Sequence, residues 1–135
     1  MALFRPSPHV ERLVAGLGNP GPAYEGTRHN VGYRVVEELA RRHGFPRAKR
    51  GFDGRVAEGS IRGRSVLLLQ PTTFMNDSGR SVAAALRALK LPPADVLVVH
   101  DHIDLPFGRL LLLLGGGSGG NHGVKSVTSL IGPHY

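Results

Sequence analysis

The chain contains several short, uniformly apolar runs that are bounded by glycine, proline or charged residues. Such runs predict β-strands, and a run without polar alternation, such as ADVLVVH, predicts a strand buried on both faces of a sheet. The runs GRVAEGSI and RSVLLLQ flank an Arg-Gly pair, which predicts a hairpin. The predicted strands are residues 12–18, 54–61, 64–70, 94–100 and 108–114.

Three other stretches predict α-helices. In the first, apolar residues recur every three or four positions, with Thr27 or Asn30 as the N-cap and Gly44 as the stop. The second carries an apolar stripe and ends at LPP, and the third covers residues 121–130. The apolar positions that define the first two helices are Val31, Val35, Val36, Leu39 and Ala40, then Val82, Ala85, Leu86 and Leu89.

The order of these elements is β, α, β, β, α, β, β, α. Alternation of strands and helices is typical of α/β proteins, and the hairpin adds an antiparallel pair to an otherwise parallel sheet. The sequence therefore predicts one three-layer α/β/α domain with a mixed, twisted sheet. Its 135 residues suffice for one core and leave little room for a second domain.

The composition limits the class of binding partner and the cellular compartment that the sequence predicts. The formal net charge is +7, which favours an anionic partner such as nucleic acid, and the chain has no cysteine, which excludes disulfides and thiol catalysis. The longest leucine run, residues 110–114, is too short to span a bilayer, and the first residues lack the apolar core of a signal peptide. We expect a cytoplasmic protein with no membrane partner.

Isolated motifs are ambiguous. The glycines of GLGNPG match GxGxxG, but the prolines that follow obstruct the helix that a dinucleotide site needs. The run HDHID, residues 100–104, follows an apolar strand and resembles the HxHxD run of the metallo-β-lactamase-like hydrolases. His100 and His102 would lie on one side of an extended segment, as zinc ligands do, although Leu105 replaces a further histidine of that family.

Four segments taken together are more specific. They are GLGNPGPAYEGTRHNVGY, PTTFMNDSGRSV, VVHDHIDLPFGRL and GGGSGGNHGVKS, in this order over nearly the whole chain. In sequence and order they resemble the bacterial-type peptidyl-tRNA hydrolases. The resemblance implies a cytoplasmic, monomeric esterase that needs no metal or other cofactor and releases peptides from peptidyl-tRNA.

The resemblance also implies roles for particular residues. His29 would be the base that activates water, because histidine titrates near neutral pH, and Asp101 would orient its ring. Asn19 and Asn76 would hold the peptide end of the substrate beside an apolar wall that includes Met75. The other substrate-binding residues that the resemblance suggests are Tyr24, Asn121 and His122. Candidate contacts to tRNA phosphate are Arg28, Arg80, Arg109 and Lys125.

The chain departs from the family pattern at three places. It reads Asn121-His122 where the family usually reads His-Asn, and His102 stands where an acidic residue is usual. Leu111 and Leu113 occupy a strand where relatives commonly carry basic residues. The family also continues beyond this length with another strand and closing helices, so residues 1–135 are expected to form a shortened, marginally stable domain.

These departures leave two alternatives to the hydrolase open. The first is a homologue that binds tRNA or other RNA with little hydrolysis, which the Asn121-His122 order and the leucines of the strand at 108–114 suggest. The second is a zinc-dependent hydrolase that uses the HDHID run.

Overall fold

The computed structural model describes residues 4–21, 30–101, 121–133 and 135. Within these residues the chain forms five strands, three α-helices and two short 3-10 turns. The strands and helices, in chain order, are β1 Arg12–Gly16, α1 Val31–Arg42, β2 Lys49–Gly51, β3 Gly54–Ile61, β4 Arg64–Pro71, α2 Ser78–Leu89, β5 Val96–Val99 and α3 His122–Ile131.

The strands form one mixed sheet in the order β2-β3-β4-β1-β5. β1 lies between β4 and β5 and pairs with both in parallel, with Leu13 opposite Leu67 and Val96. β2, β3 and β4 pair antiparallel, and β3 and β4 form the predicted hairpin. The parallel strands β4, β1 and β5 therefore end at the same edge of the sheet, which we call the carboxyl edge.

Alternate residues of the central strands enter two separate cores, one on each side of the sheet. On one side Leu13, Leu67 and Leu69 are fully buried and pack against α2 and α3. On the other side Val14 and Leu68 pack against α1. Each fully buried leucine contributes roughly 1.5–3 kcal/mol of hydrophobic stabilisation. The helices thus cover both faces of the sheet, which confirms the predicted three-layer α/β/α fold with a mixed sheet.

Two details differ from the sequence-based expectation, and a third expectation is not tested. The sequence does not predict β2, because KRG carries no apolar pattern, and this strand forms by pairing with β3. The apolar run predicts that β5 is buried on both faces, but Leu97 is 47% exposed, because β5 is at the edge of the sheet in the described part of the chain. The predicted strand 108–114 and the loop that follows it lie outside the described residues.

The helix boundaries follow the predicted signals. α1 ends at Arg42, and Gly44, at φ +65°, lets the chain turn so that the Phe45 N–H donates to the Ala40 carbonyl. α3 begins directly after Asn121, whose side chain caps it. None of the helices in the described part of the chain is long and apolar enough to cross a membrane.

Candidate active site at the carboxyl edge

The carboxyl edge collects the polar segments that follow β1, β4 and β5, together with the starts of all three helices. Each helix has glycine as its second residue: Gly32, Gly79 and Gly123. A Cβ on Gly32 would lie 2.4 Å from the carbonyl oxygens of both Leu17 and Val99. The helix therefore approaches the ends of two strands too closely for any side chain, and the backbone itself sets the shape of this edge.

Asn19, predicted from sequence to bind substrate, connects three segments of this edge. Its N–H donates to Asn30 Oδ1 at 2.8 Å, and its carbonyl accepts from Asn30 Nδ2 at 3.1 Å. Its own Oδ1 accepts from the Met75 N–H at 3.2 Å. Among the described residues, none accepts a hydrogen bond from Asn19 Nδ2.

Asn30 is a residue of this edge whose contacts the sequence interpretation missed. The sequence predicts it only as a possible N-cap, and it does occupy that position, but its side chain makes no capping bond because both of its polar atoms bind the backbone of Asn19. It is 7% exposed. Its role depends on a partner eleven residues away, which no local pattern reveals.

Replacing Asn30 with aspartate should destabilise the protein by about 2–3 kcal/mol at neutral pH, because a buried carboxylate oxygen would replace Nδ2 against the Asn19 carbonyl. The penalty should shrink as the pH falls, since a protonated carboxyl can again donate to that carbonyl. Urea unfolding at pH 7 and pH 4 measures both effects. Asn76→Asp, the same change at an exposed position of this edge, is the control, and equal losses in the two variants would contradict the assignment.

A second set of contacts joins α1 to the end of β4. The Tyr33 hydroxyl donates to the Pro71 carbonyl, and Gln70 Nε2 donates to the Tyr33 carbonyl at 3.0 Å. Burial raises the pKa of Tyr33 to about 12, because the phenolate would lose its hydration. The phenol therefore stays protonated at neutral pH and remains a hydrogen-bond donor to the end of β4.

Asp101 and Asn121 meet where β5 ends and α3 begins. Asn121 Nδ2 lies 3.2 Å from Asp101 Oδ1 and donates to it, while Asn121 Oδ1 accepts from the Val124 N–H at 3.0 Å and caps the helix. His100 Nδ1 donates to the Asp101 carbonyl at 2.6 Å. The first residue of the Asn121-His122 pair thus orients Asp101, one of the two predicted catalytic residues.

An open depression of about 490 Å³ lies at this edge, lined by Asn19, Phe74, Met75, Asn76 and His122. Phe74 is 76% exposed, which gives the depression an apolar rim. Four of these five residues are among those predicted to bind substrate, and they come from segments that follow β1 and β4 and from the start of α3. We refer to this depression, together with Asp101 and Asn121, as the candidate site.

Two predicted site residues, His29 and Tyr24, lie outside the described residues. Of the HDHID run, the structure describes only His100 and Asp101, and the part of the chain that it describes contains no group of three His, Asp or Glu residues suited to a metal ion. Among the predicted phosphate contacts, Arg80 pairs with Asp53 at 3.4 Å, and Lys125 is exposed on α3.

Comparison with known proteins identifies the family. Residues 13–135 match the family model described as peptidyl-tRNA hydrolase. The peptidyl-tRNA hydrolase of Rhodospirillum centenum is 53% identical over 124 residues, which are 92% of this chain and 55% of that protein. The corresponding protein of Rhodopseudomonas palustris strain BisB18 is 50% identical over 124 residues, 92% of this chain and 62% of that protein.

Solved structures agree with these matches. The crystal structure of peptidyl-tRNA hydrolase from Acinetobacter baumannii superimposes with a TM-score of 0.88 at 40% identity, covering 94% of this chain and 66% of that one. The chain spans between half and two thirds of the length of the curated relatives it matches. The fold, the order of the motifs and the family model agree, and the chain belongs to the peptidyl-tRNA hydrolase family.

Proposed function

We propose that this chain, as one peptidyl-tRNA hydrolase-like domain of residues 1–135, cleaves the ester that joins a peptide to the terminal ribose of tRNA. The observation that carries the proposal is the meeting of Asn19, Met75, Asn76 and His122 in one depression, with Asp101 at the same edge. Membership of the family supports the choice of substrate. The protein would act as a cytoplasmic monomer that binds peptidyl-tRNA and needs no metal or other cofactor.

In the proposed reaction, His29 removes a proton from water while the water oxygen attacks the ester carbonyl carbon. The tetrahedral intermediate then collapses, the bond to the ribose oxygen breaks, and the histidine returns the proton to that oxygen. Asp101 would orient the imidazole and stabilise its positive charge. His29 directly precedes Asn30 in the sequence, and Asn30 makes two hydrogen bonds to Asn19, a residue of the candidate site.

The amide groups of the depression would bind the peptide part of the substrate. An asparagine Nδ2 donates to a carbonyl oxygen without titrating, so Asn19 and Asn76 would hold a peptide carbonyl or the developing oxyanion at any pH near neutrality. Apolar surface for the peptide side chains would come from Met75 and Phe74, and from Tyr24, which the family resemblance predicts to bind substrate. His122 would lie among them, where the family usually has an amide.

The direct test is release of peptide from an N-blocked aminoacyl-tRNA by the purified chain, with and without a chelator. We expect release in both conditions. Loss of activity with the chelator, restored by zinc, would instead support the zinc hydrolase.

The second candidate is an RNA-binding homologue without hydrolysis. The contact between Asn121 and Asp101 does not favour it over the hydrolase, because the contact uses one of the two carboxylate oxygens and a carboxylate can accept several hydrogen bonds. Binding of tRNA without release of peptide in the same assay would support it and overturn the hydrolase.

A further inference from the structure

A basic groove lies beside the candidate site, on the face of the sheet that α1 covers. Two adjoining depressions of about 410 and 250 Å³ share Glu37, Arg55 and Gln70 in their walls. The first also contains Arg34 and reaches Asn19, and the second contains Arg47. We call the two depressions together the arginine groove.

The pairing of β2 with β3 places a further arginine, Arg50, beside Arg55 on the same face of the sheet. Arg55 lies opposite Gln70 on β4 and opposite Arg50 on β2, and directly opposed residues point to the same face. Gln70 is on the α1 face, because its Nε2 donates to the Tyr33 carbonyl. Both arginines are exposed, and an anion bound between them would relieve the repulsion that like charges at opposed positions exert.

The arginines of the groove have no carboxylate partner among the described residues. By contrast, several other arginines form ion pairs, two of them with the same carboxylate: Arg12 with Asp95, Arg41 and Arg42 with Glu38, Arg64 with Glu11, and Arg80 with Asp53. Glu37 is the one acidic side chain among the described groove residues, and it accepts from Gln70 Nε2 at 3.3 Å. Among the described residues of the groove, three arginines therefore stand against one carboxylate, a formal net charge of +2.

We propose that the arginine groove binds phosphate groups of the RNA part of the substrate, along the α1 face of the hairpin. This proposal rests on the proposed function, which identifies the RNA as the tRNA part of peptidyl-tRNA. Guanidinium groups bind phosphate in a bidentate manner, and phosphate contacts position a nucleic acid without reading its sequence. Because Asn19 and Asn30 form one end of the groove, RNA bound there would adjoin the candidate site.

The test compares two triple variants with the same change of charge. The groove variant is Arg34→Gln/Arg47→Gln/Arg55→Gln. The control is Arg62→Gln/Arg87→Gln/Lys90→Gln, at the hairpin turn and the end of α2, away from the groove. Binding of fluorescently labelled, deacylated tRNA is measured by anisotropy over a series of salt concentrations, after thermal unfolding has verified that each variant is folded.

The groove variant should reduce the slope of log K against log salt by about 2, because each lost phosphate contact removes roughly 0.7–0.9 from that slope. This corresponds to about 100-fold weaker binding at 0.1 M salt. The single variants Arg47→Gln and Arg55→Gln should each remove about one contact. The control should bind as the unmodified chain does.

Equal losses in the two triple variants, or unchanged binding by the groove variant, would overturn the proposal. The hydrolysis assay keeps the two proposals apart. If the unmodified protein releases peptide but the groove variant still binds tRNA normally, the proposal for the arginine groove is refuted and the proposed hydrolase is not. If the groove variant loses tRNA binding but the unmodified protein releases no peptide, the proposed hydrolase activity is refuted and the proposal for the arginine groove is not.

Discussion

Replacing His29 with alanine is expected to lower the rate of peptide release by about 10³-fold, because a positioned general base contributes roughly that factor. Binding of deacylated tRNA should be unchanged, since the proposed histidine acts on water rather than on phosphate. Single-turnover release from an N-blocked aminoacyl-tRNA measures the chemical step. The variant therefore separates catalysis from substrate binding.

His43→Ala is the matched control for this substitution. His43 is an exposed histidine that directly follows α1, at the opposite end of the helix from the carboxyl edge. Its loss should leave the rate of release unchanged. Similar rates for the His29 variant and the unmodified chain would refute the proposed base, whereas similar losses in both histidine variants would indicate a general effect on folding.

Replacing Gly32 with alanine should reduce the free energy of unfolding by about 3 kcal/mol, the upper end of the usual cost of overpacking. The new Cβ would lie 2.4 Å from the Leu17 and Val99 carbonyl oxygens. The Leu17 N–H donates to that Val99 carbonyl at 2.9 Å, so the substitution would also disturb a bond between β1 and β5. For a chain of this size the midpoint of thermal unfolding should fall by roughly 10 °C.

Gly123→Ala offers a close comparison, because Gly123 is likewise the second residue of a helix. The two atoms nearest to the new methyl group would be Met75 Sδ and Leu17 Cδ1, which lie toward the ends of flexible side chains. Met75 is the nearest of these neighbours, is only partly buried and has a flexible side chain, whereas the backbone carbonyls beside Gly32 cannot move independently, so the loss of stability should be smaller than for Gly32→Ala. Thermal unfolding followed by circular dichroism gives both values, and a larger loss for Gly123→Ala would contradict the packing argument.

Much of the fold is predictable because it depends on local patterns. The helical spacing of Val82, Ala85 and Leu86 predicts the buried face of α2, and all three are buried. β2 is not predictable in this way, because Lys49 and Arg50 form a strand only through pairing with β3. The exposure of Leu97 cannot be predicted from the sequence either, because an apolar run does not indicate which strand lies at the edge of a sheet.

The candidate site and its surroundings likewise have a part that the sequence predicts and a part that it does not. The resemblance to a family singles out Asn19, Met75, Asn76 and His122, and the structure brings these four together, although their roles in binding stay predictions. Asn30 and the arginine groove are not evident from the sequence because each depends on partners distant along the chain. The groove arginines, Arg34, Arg47 and Arg55, occupy separate elements or loops, and only the packing of α1 against the hairpin makes them neighbours.

Among the described residues, the side-chain bonds that join the loop after β1 to Asn30 and to Met75 involve only uncharged groups. The amide oxygen and nitrogen of Asn30 both bind the backbone of Asn19, and Asn19 Oδ1 accepts from the Met75 N–H. Neither protonation near neutral pH nor screening by salt weakens such bonds appreciably. This frame should keep its shape while the reacting groups titrate, so a pH–rate profile of the protein would report the chemistry of those groups directly.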